Sequence, residues 1–522
     1  MADSLGLNVH FCRPRPLHNL AQRAPVDSRR GMAMSTTPGT DRLAANAMGT
    51  KDLVFTVLAA LAPLTLIVAV APLHFLKGGA AVPGGYLVAG GVMALFAVGF
   101  MTMSRYVRNA GAFYATIARG LGKPMGSGAA TLAMLAYNGL QISTYGALGL
   151  YGADSFEKYT GTSLPWWVFA LVAIVLVAWL GFLGIHTSAK ILGVLLVLEI
   201  AVLVVMAGYV IAKGGAGETS FTSFSPETVL TPSNAAMFAL VFGAFMGFES
   251  TAIFSEEARG GIRTVRRATY TAVAFIAVFY AFITWTIVHA IGAGGVGAAA
   301  EQDTAGLVTG IFDRYTTGPI TSVMEILLLT SAFAALLALH NAANRYMFAL
   351  GREGLVPAAL GRTHPRRRSP HVAGAVQSLL ATVVIVAWAV FGLDPYLELL
   401  LWGSAIGFLG IIALWALCCL AVISFLRRKA PESGLWRSLI APGLSFAALC
   451  LILGLAIANV SLLTGAGTAT NAVLLGLLVI AFAAGIAAAG SLRSRDPRRY
   501  SKLAETNFDE AADEPAVPAG RT

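Results

Sequence analysis

Residues 53–75 read LVFTVLAALAPLTLIVAVAPLHF, and residues 234–255 read NAAMFALVFGAFMGFESTAIFS. As helices, both are long enough to cross the ~30 Å hydrocarbon core of a bilayer. The first carries no charge and the second only Glu249. Both are also interrupted. In Ala62-Pro63-Leu64-Thr65, Pro63 cannot donate to the helical ladder. In Gly243-Ala244-Phe245-Met246-Gly247, two glycines bracket a weak turn. A broken helix leaves N–H groups unpaired on one half and C=O groups on the other. In hydrocarbon these are tolerated only where they line a cavity or meet a ligand. Paired interruptions at corresponding places point to a mid-membrane binding site. Kinking or close packing is the competing reading of either break alone.

Further apolar runs lie at 84–104, 126–151, 165–184, 191–212, 268–293, 319–342, 371–392, 397–426, 439–463 and 471–492, giving about twelve expected spans. Of the 36 Lys and Arg, all but Lys77, Lys158, Lys213 and Arg314 fall in the tails and alternate loops. That is the positive-inside pattern, and it places both termini in the cytoplasm of a plasma-membrane protein. A composition 57% hydrophobic and 12% charged is unsuited to a soluble domain of this length. The net charge of +10 then describes the cytoplasmic leaflet of the bilayer and excludes a nucleic-acid partner. Cys12, Cys418, Cys419 and Cys450 make neither a disulfide framework nor a metal spacing. With no nucleophile–base pair, phosphate loop or metal cluster, neither an enzyme nor a cofactor is expected.

The expected fold class is an all-α integral membrane protein with a five-plus-five inverted repeat and discontinuous helices 1 (span 1, 53–75) and 6 (span 6, 234–255). Residues 1–50 read as a disordered cytoplasmic tail, 51–212 as the first repeat and 213–426 as the second. Residues 427–492 hold two last helices, and 493–522 form a cytoplasmic tail that starts basic and ends acidic. The loop 105–123 reads as amphipathic. The loops 214–233 and 294–318 read as partly ordered over the external face.

Polarity at the breaks suggests what binds. The N–H groups of Leu64 and Thr65, behind Ala62 and Pro63, form a partially positive end that suits a carboxylate. The carbonyls of Phe242 and Gly243, followed by Ala244, Phe245 and Gly247, suit an ammonium. Together they describe a receptor for an amino acid. Glu199 lies about 12 Å into its span at 1.5 Å per residue, near the midplane. An intramembrane carboxylate is functional or paired. Carrying a coupling proton and holding two helices together are the alternatives here. Glu249, at the start of the inner half of span 6, is a gating residue or a simple cap. Glu325 is expected near the outer surface and Glu398 at a span end. His289 and His340 read as structural. Tyr137, Asn138 and Gln141 form a polar stripe that lines a path or joins helices.

Three pieces carry a resemblance. They are Gly247-Phe248-Glu249 with Glu256-Glu257-Ala258-Arg259 and Thr264 to Ala268; Asn109 to Tyr114 with Arg119-Gly120-Leu121-Gly122; and Asn344-Arg345-Tyr346 with Gly351-Arg352-Glu353-Gly354 and Pro357. In this order they resemble the amino acid–polyamine–organocation permeases over roughly residues 50–490. The resemblance implies secondary transport of amino acids by alternating access, often proton-coupled. An exchanger, a polyamine carrier or a membrane sensor on the same fold are the alternatives, and the oligomeric state is open. Ser331, with Thr330, lies where related folds draw sodium ligands, helix-to-helix bonding being the other reading. Members commonly carry a Gly-Ser-Gly-like break in helix 1, where this chain has Ala62-Pro63-Leu64. Several carry a bulky aromatic gate where it has Gly243, so Phe242, Phe245 or Phe248 are the substitutes.

Overall fold

The computed structural model describes residues 49–106, 112–183, 189–217, 221–248, 262–364 and 369–504. Glu249, the run Glu256 to Arg259, Asn109 to Gly111, residues 1–48 and residues 505–522 lie outside the described residues. Among the described residues the chain is helical and has no strand.

Helix α1 (Thr50–Ala60) ends three residues before Pro63. Ala62 takes a left-handed conformation, φ 47° and ψ 69°, which costs a residue with a Cβ about 1–2 kcal/mol. A proline pushes the residue before it out of the right-handed helical region, so the sequence itself demands a departure at this point. The chain resumes as one turn, α2 (Pro63–Thr65), then a π turn at Leu66–Val70, then α3 (Ala71–Gly78). Next come α4 (Val82–Met103), α5 (Ala112–Leu121), α6 (Lys123–Thr160), α7 (Trp166–Leu183) and α8 (Ala189–Ala212). After the short α9 (Pro226–Val229) follow α10 (Ala235–Gly243), α11 (Ile262–Ile291), α12 (Val296–Gln302) and α13 (Leu307–Tyr315). The long α14 (Gly318–Glu353) and α15 (His371–Phe391) lead to a π turn at Pro395–Leu400 and α16 (Leu401–Lys429). The chain closes with α17 (Ala441–Ala458), α18 (Val460–Thr464), α19 (Thr468–Arg495) and α20 (Pro497–Lys502).

Eight helical segments among the described residues are long and apolar enough to cross a membrane, with α7 and the Pro232–Gly243 segment shorter apolar helices. Their outward faces are greasy: Val390 and Phe391 of α15 are 75% and 76% exposed, and Val479 of α19 is 69% exposed. Apolar exposure on that scale needs a non-aqueous surround. The protein is a multi-pass membrane protein.

Helix α6 runs nine residues past the expected end at 151. The charges at Asp154, Glu157 and Lys158 do not terminate it; Gly161 does, at φ 70°, donating its N–H to the Glu157 carbonyl. On that extension Lys158 Nζ meets Glu325 at 2.6 Å and the Tyr159 hydroxyl donates to the same carboxylate at 2.9 Å. The hydrogen bond it donates to Glu325 holds the Lys158 ammonium above its usual range. Glu325 is thus an anchor for the end of α6.

The polar stripe of α6 joins helices. Gln141 accepts a bond from Gln377 of α15, and its own amide reaches Tyr145 at 3.2 Å and His340 of α14 at 3.4 Å. Asn138 donates to its own helix at Met134, and Tyr137 packs its ring on Tyr346. Glu398 accepts the Asp394 N–H while Asp394 caps Tyr396 and Leu397, a reciprocal N-terminal cap for the π turn.

The loop helix α5, expected to be amphipathic, is buried on every side from Phe113 to Ala118, with only Arg119 exposed among the residues that follow. It lies on α16 so closely that a Cβ built on Gly120 would stand 2.3 Å from the Ala421 carbonyl oxygen. Backbone cannot yield as a side chain does. Gly120→Val is expected to destabilise the protein by about 2 kcal/mol or more, read as thermal unfolding in detergent; an unchanged midpoint would mean that α5 is not docked there.

Candidate functional site

The break at Pro63 and the turn that ends α10 meet. A Cβ on Gly247 (φ 103°) would lie 3.5 Å from Leu61, at that break. Pro63 brings no N–H of its own. Leu66 N–H already closes on the Ala62 carbonyl at 3.0 Å. That leaves Leu64 and Thr65 as the open donors of the new helix start, as helix geometry requires. Both are met from across the bundle. Leu64 N–H donates to Glu199 Oε2 of α8 at 3.3 Å, and Thr65 N–H to Ser331 Oγ of α14 at 3.4 Å. Ser331 Oγ–H in turn donates to the same Glu199 Oε2 at 2.8 Å.

The result is a closed triangle of helix-1 backbone, Glu199 and Ser331, buried to 4% and 0% exposure at the two side chains. A carboxylate at a helix N-terminus is electrostatically favoured, the more so away from water. The donors expected to await an outside carboxylate are therefore held by the protein's own. Among the described residues Thr65 Oγ1, buried beside them, meets no hydrogen-bond partner.

On the second break, α10 stops at Gly243 and the chain tightens. Phe245 N–H donates to the Phe242 carbonyl and Met246 N–H to the Gly243 carbonyl, both at 3.0 Å. The expectation that these carbonyls stand unpaired is corrected: three-residue turns close one lone pair on each. The second lone pair of each carbonyl remains.

The rings of span 6 divide their work. Phe242, Phe245 and Phe248 are fully buried. Phe245 lies against α4, 3.6 Å from where a Cβ on Gly90 would be. Phe248 stands edge-on to Phe96 at 5.9 Å and tilted on Trp415 of α16 at 6.1 Å. Trp415 is 0% exposed, and among the described residues its indole N–H meets no partner. At Gly243, Ala244 is buried and the vacant side-chain space is filled from elsewhere: a Cβ there would stand 2.2 Å from the Phe408 ring of α16. Sequence reading missed Phe408, Phe96 and Trp415. The one available signal was the glycine itself, since a missing side chain in a packed span has to be replaced by another.

Among the described residues no three His, Cys, Asp or Glu side chains converge to hold a metal. Glu249 of the expected gating set lies outside the described residues.

Residues 48–484 match the family model described as amino acid permease. The chain is 28% identical over 274 residues to the branched-chain amino acid permease BcaP of Bacillus subtilis, covering 50% of this chain and 52% of that protein. It is 26% identical over 253 residues to the protein of the same name from Lactococcus lactis subsp. cremoris, covering 46% and 51%. The match spans about half the length of each relative. With the family model covering most of its length, this chain belongs to the amino acid permease family.

Proposed function

We propose that the protein carries amino acids across the cytoplasmic membrane by alternating access, in about twelve spans arranged as two inverted sets of five plus two, with both termini inside. The observation that carries the reading is the Glu199 carboxylate seated on the Leu64 N–H at the break of helix 1. A group that holds the anion-binding helix end when charged releases it when protonated. Proton uptake on Glu199 then frees Leu64 and Thr65 for a substrate carboxylate, while the second lone pairs of the Phe242 and Gly243 carbonyls take the ammonium. Proton and substrate binding reinforce each other, which is the sign required for symport.

Apolar neighbours at the breaks, Leu61, Phe408 and Phe248, favour an apolar side chain, and both relatives are named for branched-chain amino acids. Protons rather than sodium serve as the coupling ion because the Ser331 hydroxyl donates to Glu199 rather than facing an open oxygen cage.

Counterflow in proteoliposomes loaded with a mixture of amino acids and amines tests this. Uptake of labelled leucine, isoleucine or valine, stimulated by an inward proton gradient, is the expected result. Uptake of polyamines alone, or uptake indifferent to the gradient, would sink the symport reading.

A further inference from the structure

The outer half of helix 1 is gripped at a weak point by two tyrosines that the transport reading has not used. Pro72 has no N–H to give the Val68 carbonyl four residues back. The segment answers with a π turn, in which Ala71 N–H reaches back to the Leu66 carbonyl. The Tyr151 hydroxyl of α6 lies 3.3 Å from the Val68 carbonyl oxygen and 3.0 Å from that of Ala305, between α12 and α13. The Tyr396 hydroxyl, in the π turn before α16, donates to the Ala69 carbonyl at 2.8 Å. Val68 and Ala69 are fully buried, and the two tyrosines nearly so.

These bonds join two packing groups. Helix α3 packs on α10 and α12, with Met237 of α10 tight against Gly78. Helix α6 packs on α7, α14, α15 and α16, tied to two of them through Gln141. The groups also touch where the Phe408 ring of α16 fills the space at Gly243 of α10, and the tyrosine hydroxyls add polar ties between them. A phenol carries one proton, so Tyr151 serves Val68 and Ala305 in alternation or shares between them.

We propose that Tyr151 and Tyr396 are positioning residues that latch the outward side of the transporter shut, by holding the π turn of helix 1 against the α6–α16 face. Opening toward the outside breaks the bonds of Tyr151 and Tyr396 to helix 1. This inference rests on the alternating-access reading for the meaning of the opening.

Hydrogen exchange of the purified full chain in proteoliposomes, followed by mass spectrometry, tests the latch without transport. Tyr151→Phe and Tyr396→Phe are each expected to speed exchange of residues 66–76 about tenfold, the worth of one buried hydrogen bond, with α14 and α15 unchanged. In the same vesicles the KM for external substrate should fall severalfold while Vmax also falls, because the outward-open form is enriched and its closure slowed. Unchanged exchange at 66–76, acceleration spread evenly over all helices, or lowered Vmax at constant KM would each overturn the proposal. Should Tyr151→Phe fail to fold, Tyr396→Phe alone decides it. Wild-type vesicles that transport nothing would refute the functional reading and leave the exchange result to judge the latch.

Discussion

Glu199→Gln is expected to abolish proton-driven accumulation, lowering it at least roughly tenfold, while counterflow exchange continues. Glutamine keeps the size of the side chain but carries no charge, so its hold on the Leu64 N–H and the Ser331 hydroxyl is as weak as that of the protonated acid. It cannot take up or release a proton, so the linkage between proton and substrate is removed and the site behaves as permanently neutralised. Substrate binding in the wild type should tighten as pH falls, because protonation releases the helix end. In the variant it should be strong and flat with pH. Both readings come from scintillation proximity binding and from uptake with and without a gradient. Undiminished accumulation in Glu199→Gln would reduce Glu199 to a strut between α8, α14 and the break in helix 1.

Gly243→Phe is expected to cost about 2–3 kcal/mol of stability and most of the transport, because the new side chain enters space already filled by the Phe408 ring. Phe408→Ala should be damaging for the opposite reason, a cavity between α10 and α16. The double variant Gly243→Phe with Phe408→Ala moves the ring from one helix to the other and restores the volume. It should recover much of the loss, a large favourable coupling in a double-mutant cycle read by thermal unfolding and counterflow. It would also place an aromatic where several resembling permeases carry their gate. Strict additivity of the two single losses would show that the rings do not compete for one space.

How far this site was legible in the chain differs from residue to residue. Pro63 declares its break because a missing N–H is a property of the residue itself. Gly247 is similar, its left-handed conformation being open to glycine at little cost. Glu199 stood out because a carboxylate in an apolar run must be served by something. Ser331 entered as a hydroxyl in a span. Nothing along the chain stated that these meet, since Glu199 is 135 residues from Leu64 and 132 from Ser331. The carbonyls of Phe242 and Gly243 were misjudged for a local reason: a three-residue turn closes bonds that a four-residue count leaves open. Phe408, Phe96 and Trp415 gave no sign, because an aromatic in a uniformly apolar helix carries no amphipathic phase to say which way it faces.

The chain's composition and order of residues were enough to decide that it lies in a membrane and that its first helix breaks at Pro63, since charge, hydropathy and the proline nitrogen act without reference to distant partners. Which group satisfies each exposed N–H, which ring fills the space left by Gly243, and which hydroxyls hold the π turn at Val68 and Ala69 emerged from packing alone. A lipid-embedded span can be apolar on every face and still fold. Its direction is then set by close contacts and buried hydrogen bonds with neighbours, and those exist only once the bundle is assembled.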